Sequence, residues 1–388
     1  MKGVFCILVL LFFLQTSFAQ TSSLAEDAYM FYNSQNYVSK VTKAQSNGDI
    51  INTYFEYPND IISSYSTSCS YTSDASGLRT LVTKNIIKNP VEVYNTITNS
   101  SGTFVTGGEL TTYDPSSPYP NAIFSLELPT PLDVSSFSPY HVASCSLVKD
   151  ARYVLQESYD SYDIYGNLTQ KTIKGGKIVS FIYDYKSAYK TAIIENAANN
   201  SVAYSSFETL LSTGNWIYSP TDDISLSGSD EIAGGGAYQF NPTNSITSPT
   251  LPQGNYIVSF WEQPRGSTGD ITVTAVSGGG ATPTVTCTDG PTVGTTWKYR
   301  ECLITNAEGV TLSFTGGGNA WIDELRLYPQ NAQMETIGYL PSIGVSYTCD
   351  VASHFNYYTY DDLNRLLYIK DEKGNITRQM EYGIQKPE

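Results

Sequence analysis

Two stretches of the chain, 153–185 and 357–382, carry Tyr-Asp pairs beside turn residues and alternating strand-like runs, and an unrelated sequence separates them. The first reads Tyr162-Asp163-Ile164-Tyr165-Gly166-Asn167-Leu168-Thr169. The second reads Tyr360-Asp361-Asp362-Leu363-Asn364-Arg365-Leu366 and is followed by Gly374-Asn375-Ile376-Thr377. Gly and Asn tolerate the left-handed backbone that tight turns require, so each copy is a hairpin signature. Val179, Phe181, Tyr183 and Tyr185 alternate on one face after Gly175-Gly176, and Ile376, Met380 and Tyr382 share a face after Gly374-Asn375. Both patterns predict hairpins with one buried side. The arrangement is that of one repeat architecture interrupted by a self-contained inserted domain.

Composition supports an all-β chain. Tyr, Thr, Ser, Gly and Val dominate, and charged residues make up only 15% of the sequence, which suits half-buried strands better than helical surfaces. Residues 22–37 have the pattern of a short helix, and the proline-rich stretch 114–131 reads as an extended linker or edge. The formal charge of -15 repels phosphate backbones, so nucleic acid is not an expected partner.

The first residues predict a signal peptide over 1–19. Lys2 gives a basic start, 4–14 is an apolar run, and Ser17-Phe18-Ala19 places small residues before a cleavage point at Gln20. The run is too short for a transmembrane segment, which needs roughly 20 residues. The mature protein is expected to be secreted, extracellular or at the cell surface. Export permits disulfides. Cys287 and Cys302 flank a predicted turn containing Gly290-Pro291 and Gly294, and Cys69 is available to pair with Cys145. Cys349 is then left over; the other reading is that all five mature cysteines are buried thiols.

Four mature segments follow: a β-rich N-terminal region over 20–150, hairpins over 151–201, a Gly-, Ser-, Thr- and Pro-rich insertion over 202–330, and further hairpins over 331–388. Candidate strands in the insertion are 256–261, 271–276, 297–304, 310–314 and 320–328, which two packed antiparallel sheets would satisfy.

The Tyr-Asp pairs with Gly166-Asn167-Leu168-Thr169, and the run 357–366, resemble bacterial RHS (YD-repeat) proteins. In the usual unit a glycine occupies the turn where Asn364 stands, and Gly-Arg replaces Gly166-Asn167. Phe181-Ile182-Tyr183-Asp184-Tyr185 followed by Ala203-Tyr204-Ser205-Ser206-Phe207-Glu208 is similar to family members that carry a sandwich within the repeats. The run Ala320-Trp321-Ile322-Asp323-Glu324-Leu325-Arg326-Leu327 resembles the last strand of carbohydrate-binding, galactose-binding-like jelly rolls. The resemblance therefore implies YD-repeat antiparallel hairpins flanking an inserted jelly-roll β-sandwich. Relatives with many repeats wind them into a hollow shell, often around a toxic domain, and others serve in surface adhesion. Two or three units leave open sheet edges, which other YD-repeat chains could cover.

The resemblance also implies a structural calcium, held between an early Glu and a late Asp, positions occupied by Glu208 and Asp323. The competing reading gives Asp323 a backbone amide or Arg326 as partner and leaves Glu208 solvated. A polysaccharide or cell-surface glycan would need aromatic platforms. Trp216, Trp297 and Tyr299 are the candidates, each in competition with core or rim packing, whereas Trp261 sits in a core-like strand with Tyr256, Val258 and Phe260. No nucleophile elbow, zinc-protease motif or phosphate loop is present, and His141 and His354 are isolated. The expected function is that of an exported, non-enzymatic YD-repeat protein whose sandwich binds glycan. The alternative is a structural scaffold, or a shortened N-terminal part of a toxin-delivery shell.

Overall fold

The computed structural model of the protein describes residues 28–63, 73–143, 146–209, 211–219, 224–225, 232–240, 243–263, 271–277, 282–293, 297–316 and 320–383. The signal segment 1–19 and both Cys69 and Cys145 lie outside the described residues. The protein is all-β, with antiparallel sheets. It divides into two compact units, one formed by 1–72, 81–110 and 126–153 and the other by 73–80, 111–125 and 154–388.

In the first unit, strands Ala28–Tyr32, Val38–Ala44, Ile50–Glu56 and Glu92–Asn99 pair in sequence order as an antiparallel meander. The short helix expected within 22–37 is therefore replaced by strand. Helix forms instead at Pro58–Ile62 and Ser73–Thr83. Ser, Asp and Gly make the second of these a poor helix by propensity. Gly77 is needed there, because a Cβ would lie 2.6 Å from the Tyr113 carbonyl oxygen. Glu56 stands directly opposite Glu92, and the Glu92 side chain is buried. Tyr140 donates its N–H to Glu92 Oε2 at 2.8 Å, and Tyr153 its hydroxyl to Oε1 at 2.7 Å.

The second unit carries the repeat strands. From Tyr153–Tyr162 through Leu168–Ile173, Lys177–Asp184 and Tyr189–Glu195, each pairs with the next. Tyr189–Glu195 then pairs directly with Gln333–Leu340, and the order continues through Gly344–Cys349, Phe355–Tyr360, Leu366–Asp371 and Ile376–Gln379. The stretch 114–131 contributes the strand Pro120–Leu126, next to Tyr153–Tyr162.

One turn builds these hairpins. Asp163 Oδ1 accepts the N–H groups of Tyr165 and Asn167, while Gly166, at φ 89°, takes the left-handed position. A Cβ at Gly166 would also strike the Tyr119 hydroxyl at 2.5 Å. The same i to i+2 and i+4 pattern recurs at Asn33, Asp350, Asp361 and Asp371, with Asn36, Ser353, Asn364 and Gly374 at positive φ. Backbone and then side-chain bonding from Arg365 hold the Asp361 carboxyl below its ordinary value. The tyrosine of each pair acts on a neighbouring strand, since Tyr162 donates its hydroxyl to the Pro120 carbonyl at 2.7 Å and Tyr360 to that of Val345 at 2.9 Å. Tyr-Asp is thus a folding device: Asp closes the turn and Tyr staples the adjacent backbone.

The insertion forms two antiparallel sheets. Seven strands, including Ala203–Ser205, Gly254–Gln263, Trp297–Ala307 and Trp321–Pro329, face a smaller sheet of Ile246–Thr247, Thr272–Ser277 and Val310–Thr315. Phe260, Ile304, Leu325 and Leu327 from the first meet Ile246, Leu312 and Phe314 from the second in one buried core. The opposite face of the large sheet is also buried, against the repeat strands, where Trp261 and Trp297 join Tyr347, Cys349 and Phe355. The sandwich is therefore not self-contained. For the same reason Lys177–Asp184 is covered on both faces: Ile182 packs with Val202, Tyr204 and Met334, while Val179 and Phe181 are buried as well. At the other extreme, Ile376–Gln379 ends the strand order and is exposed throughout, so the face expected for Ile376 is not buried.

Candidate functional site

The sheet seam owes its chemistry to an irregularity in the strand Trp321–Pro329. Trp261 faces Asp323 but Ser259 faces Arg326, so two residues, Glu324 and Leu325, oppose the single Phe260. This is a β-bulge, and Glu324 adopts φ 50° to make it. Side-chain alternation slips by one residue. Ile322, Leu325 and Leu327 enter the sandwich core, whereas Asp323, Glu324 and Arg326 turn to the seam; strict alternation would put Asp323 on the same face as Leu325 and Leu327.

Glu324 and Arg326 are both nearly fully buried there. Arg326 donates to Glu324 Oε2 at 3.1 Å and to Thr336 Oγ1 at 2.8 Å, and Thr336 in turn donates to Oε2 at 3.0 Å. Tyr204 and Tyr347 donate their hydroxyls to Oε1 at 2.5 and 2.7 Å. Arg326 also reaches the Asp350 carbonyl at 3.2 Å. Burial, then the charge of Glu324, raises both tyrosines well above their ordinary values, so they remain donors. A buried charge is tolerated when it is paired and hydrogen-bonded, as both members are here. Such a network locks two sheets together.

The residues singled out as ligand contacts occupy quite different settings. Trp216 is 2% exposed, packs edge-on against Phe314, and donates its indole N–H to the Leu325 carbonyl at 3.2 Å. Trp297 is buried in the seam. Tyr299 is half-buried with its ring on Trp261, and its hydroxyl bonds Ser353 and Glu301. Trp216 and Trp297 present no open ring face, which corrects the expectation of a sugar platform at those two residues. The reason is that both faces of the large sheet are covered, so Trp297 is enclosed even at its strand start.

Glu208 and Asp323 are near enough to interact, and both are engaged by main-chain amides. Gly235 donates to both Glu208 oxygens at 3.1 and 2.9 Å, and Gly236 donates to Oε1 at 3.3 Å. Asp323 accepts from Ala233 at 3.4 Å and from Glu324 at 2.6 Å. Burial first, then the charges of Glu324 and Glu208, push the Asp323 carboxyl well above its ordinary value. Calcium requires six to eight oxygens. Here N–H donors surround the carboxylates, and among the described residues no three His, Cys, Asp or Glu side chains converge as a metal-binding set. This donor set does not fit a calcium cage. Cys287 and Cys302 face each other on adjacent strands and form a disulfide. Cys349 is a buried thiol, pushed up to about 12 by burial.

Solvent-accessible polar groups converge elsewhere, in a groove of about 700 Å³ where a repeat hairpin, residues 198–200 and a sandwich loop meet. Gln170, from the strand Leu168–Ile173, lines it with Asn199, Asn200 and Asn215 and with Pro249 and Thr250. Sequence reading missed these residues. Asn and Gln carry no spacing signal for binding, and only the pairing of distant strands brings them together.

No family model and no curated protein sequence matches the chain. Among solved structures, the TcdB2-TccC3 complex is similar at 9% identity and a TM-score of 0.20, covering 92% of this chain and 22% of that one. The same complex without its hypervariable C-terminal region gives the same identity and TM-score, and the TcdB2-TccC3-Cdc42 complex is matched over 90% of this chain and 16% of that one. The chain thus spans less than a quarter of the chains it matches.

Proposed function

We propose that the protein is an exported, non-enzymatic scaffold of the YD-repeat type, in which the sandwich buttresses the repeat sheet instead of serving as a detachable sugar-binding module. The observation that carries this reading is the sealed seam: Trp261, Trp297, Tyr347 and Phe355 pack across it, and the Glu324–Arg326 pair is saturated by Tyr204, Tyr347 and Thr336. The hydrogen bonds of the Glu324–Arg326 pair are spent on holding strands of the two sheets together. The repeated Asx turns and tyrosine staples likewise serve backbone geometry, which suits a rigid surface. The signal segment supports work outside the cell.

All four tryptophans, Trp216, Trp261, Trp297 and Trp321, belong to the inserted segment, so their fluorescence reports the sandwich while far-UV circular dichroism reports every strand. If the sandwich is built into the sheet, the fluorescence transition coincides with a circular dichroism transition of the full chain. A fluorescence transition well separated from the circular dichroism transition would show an independent module and remove the buttress.

A further inference from the structure

We infer that the groove between the repeat strand Leu168–Ile173 and the sandwich binds a neutral, hydroxyl-rich ligand, a short uncharged oligosaccharide. Its lining holds no Asp, Glu, Lys or Arg among the described residues, although the chain as a whole is strongly acidic. Carboxamides both donate and accept, which matches vicinal hydroxyls, and they bring no charge to pair with a carboxylate, sulfate or ammonium. Ala198 and Pro249 add apolar patches on which the C–H face of a sugar ring can rest. The volume suits a ligand of a few sugar rings.

The amides are fixed before any ligand arrives. Asn199 donates its N–H to Gln170 Oε1 at 3.0 Å, and Gln170 Nε2 is anchored by Asp160 at 3.2 Å. Asn215 donates to Asn199 Oδ1 at 3.1 Å and to the Val202 carbonyl at 3.0 Å. Pre-organisation lowers the ordering cost of binding. By contrast the Asn200 carboxamide and the Thr250 hydroxyl are exposed and have no side-chain partner among the described residues. They are the groups free to read a ligand. Gln170 belongs to the repeat sheet and Thr250 to the sandwich, so a bound saccharide would touch both parts of the scaffold.

The test is an array of neutral and acidic oligosaccharides probed with the full chain, followed by titration of the best neutral hit. Binding to neutral glycans is expected. Asn200→Ala with Thr250→Ala should weaken it about tenfold or more, the loss of one or two hydrogen bonds. Thr250→Trp should abolish it by filling the groove. Both positions are exposed, so the thermal midpoint should stay at the wild-type value. A wild-type array blank for neutral glycans overturns the inference, as does binding that survives Thr250→Trp or prefers acidic glycans. The coincidence of the two unfolding probes is untouched by any of these outcomes, so the scaffold reading and this one can fail separately.

Discussion

Ala192 and Thr336 face each other on adjacent antiparallel strands, and the whole sandwich lies between them in sequence. Thr336 then bonds both Glu324 and Arg326, so the residue that resumes the repeat sheet also clasps the inserted domain. Continuity of the sheet and attachment of the sandwich share one side chain.

Removing one member of the seam ion pair should be costly. Arg326→Met leaves Glu324 buried without its cation, and a loss of about 3–5 kcal/mol in unfolding free energy is expected. Glu324→Gln in the same chain should recover part of it. Chemical denaturation of the two variants beside the wild type checks this, and an Arg326→Met chain as stable as wild type would show that the seam is open to water.

Trp216→Ala should destabilise the fold by about 3–5 kcal/mol, the cost of emptying a large core site. An exposed sugar platform would lose almost nothing. Thermal denaturation separates the two, and a neutral result would return Trp216 to the surface.

Burial raises Glu92 to about 7, with the neighbouring Glu56 adding to the shift, while the unfolded chain titrates near its ordinary value of 4.5. The folded state therefore keeps a proton that the unfolded state loses first. Stability contributed by this group is complete below about pH 4.5 and is lost as pH rises towards 7, a fall of about 3 kcal/mol. In Glu92→Gln the amide oxygen can take the Tyr140 N–H and its NH₂ can donate to the Tyr153 hydroxyl. Unfolding free energies measured across that window should flatten in the variant; an unchanged slope would assign the effect to another group.

Asp163→Ala removes the acceptor for two backbone N–H groups in an Asx turn, and a loss of about 1–2 kcal/mol is expected. Asp163→Asn should restore most of it, because Asn33 supports the same turn with an amide oxygen. Equal loss in both variants would mean that charge, not acceptance, holds the turn.

Calcium should leave the thermal midpoint where it is, since main-chain amides already engage Glu208 and Asp323. A calcium-dependent rise that disappears in Asp323→Asn would show an ion displacing those amides.

The sequence by itself determined what depends on near neighbours. Period-two strands and the turns at Asp163 and Asp361 were readable because an Asx turn is closed within five residues, and the same physics explains why Asn33 and Asp350, lacking the Tyr-Asp signature, were overlooked. Only the tertiary structure decided which faces are buried. Strict alternation gave Lys177–Asp184 one dry side, but Val202, Tyr204 and Met334 arrive from elsewhere to cover the other. The bulge at Glu324 turns three charged residues into the seam, and its position follows from the register with Gly254–Gln263, which no local pattern encodes. Trp216 and Trp297 were enclosed, and the groove was assembled from Gln170, Asn200 and Thr250, for that reason: burial and convergence belong to pairs of distant strands, whereas propensity belongs to single residues.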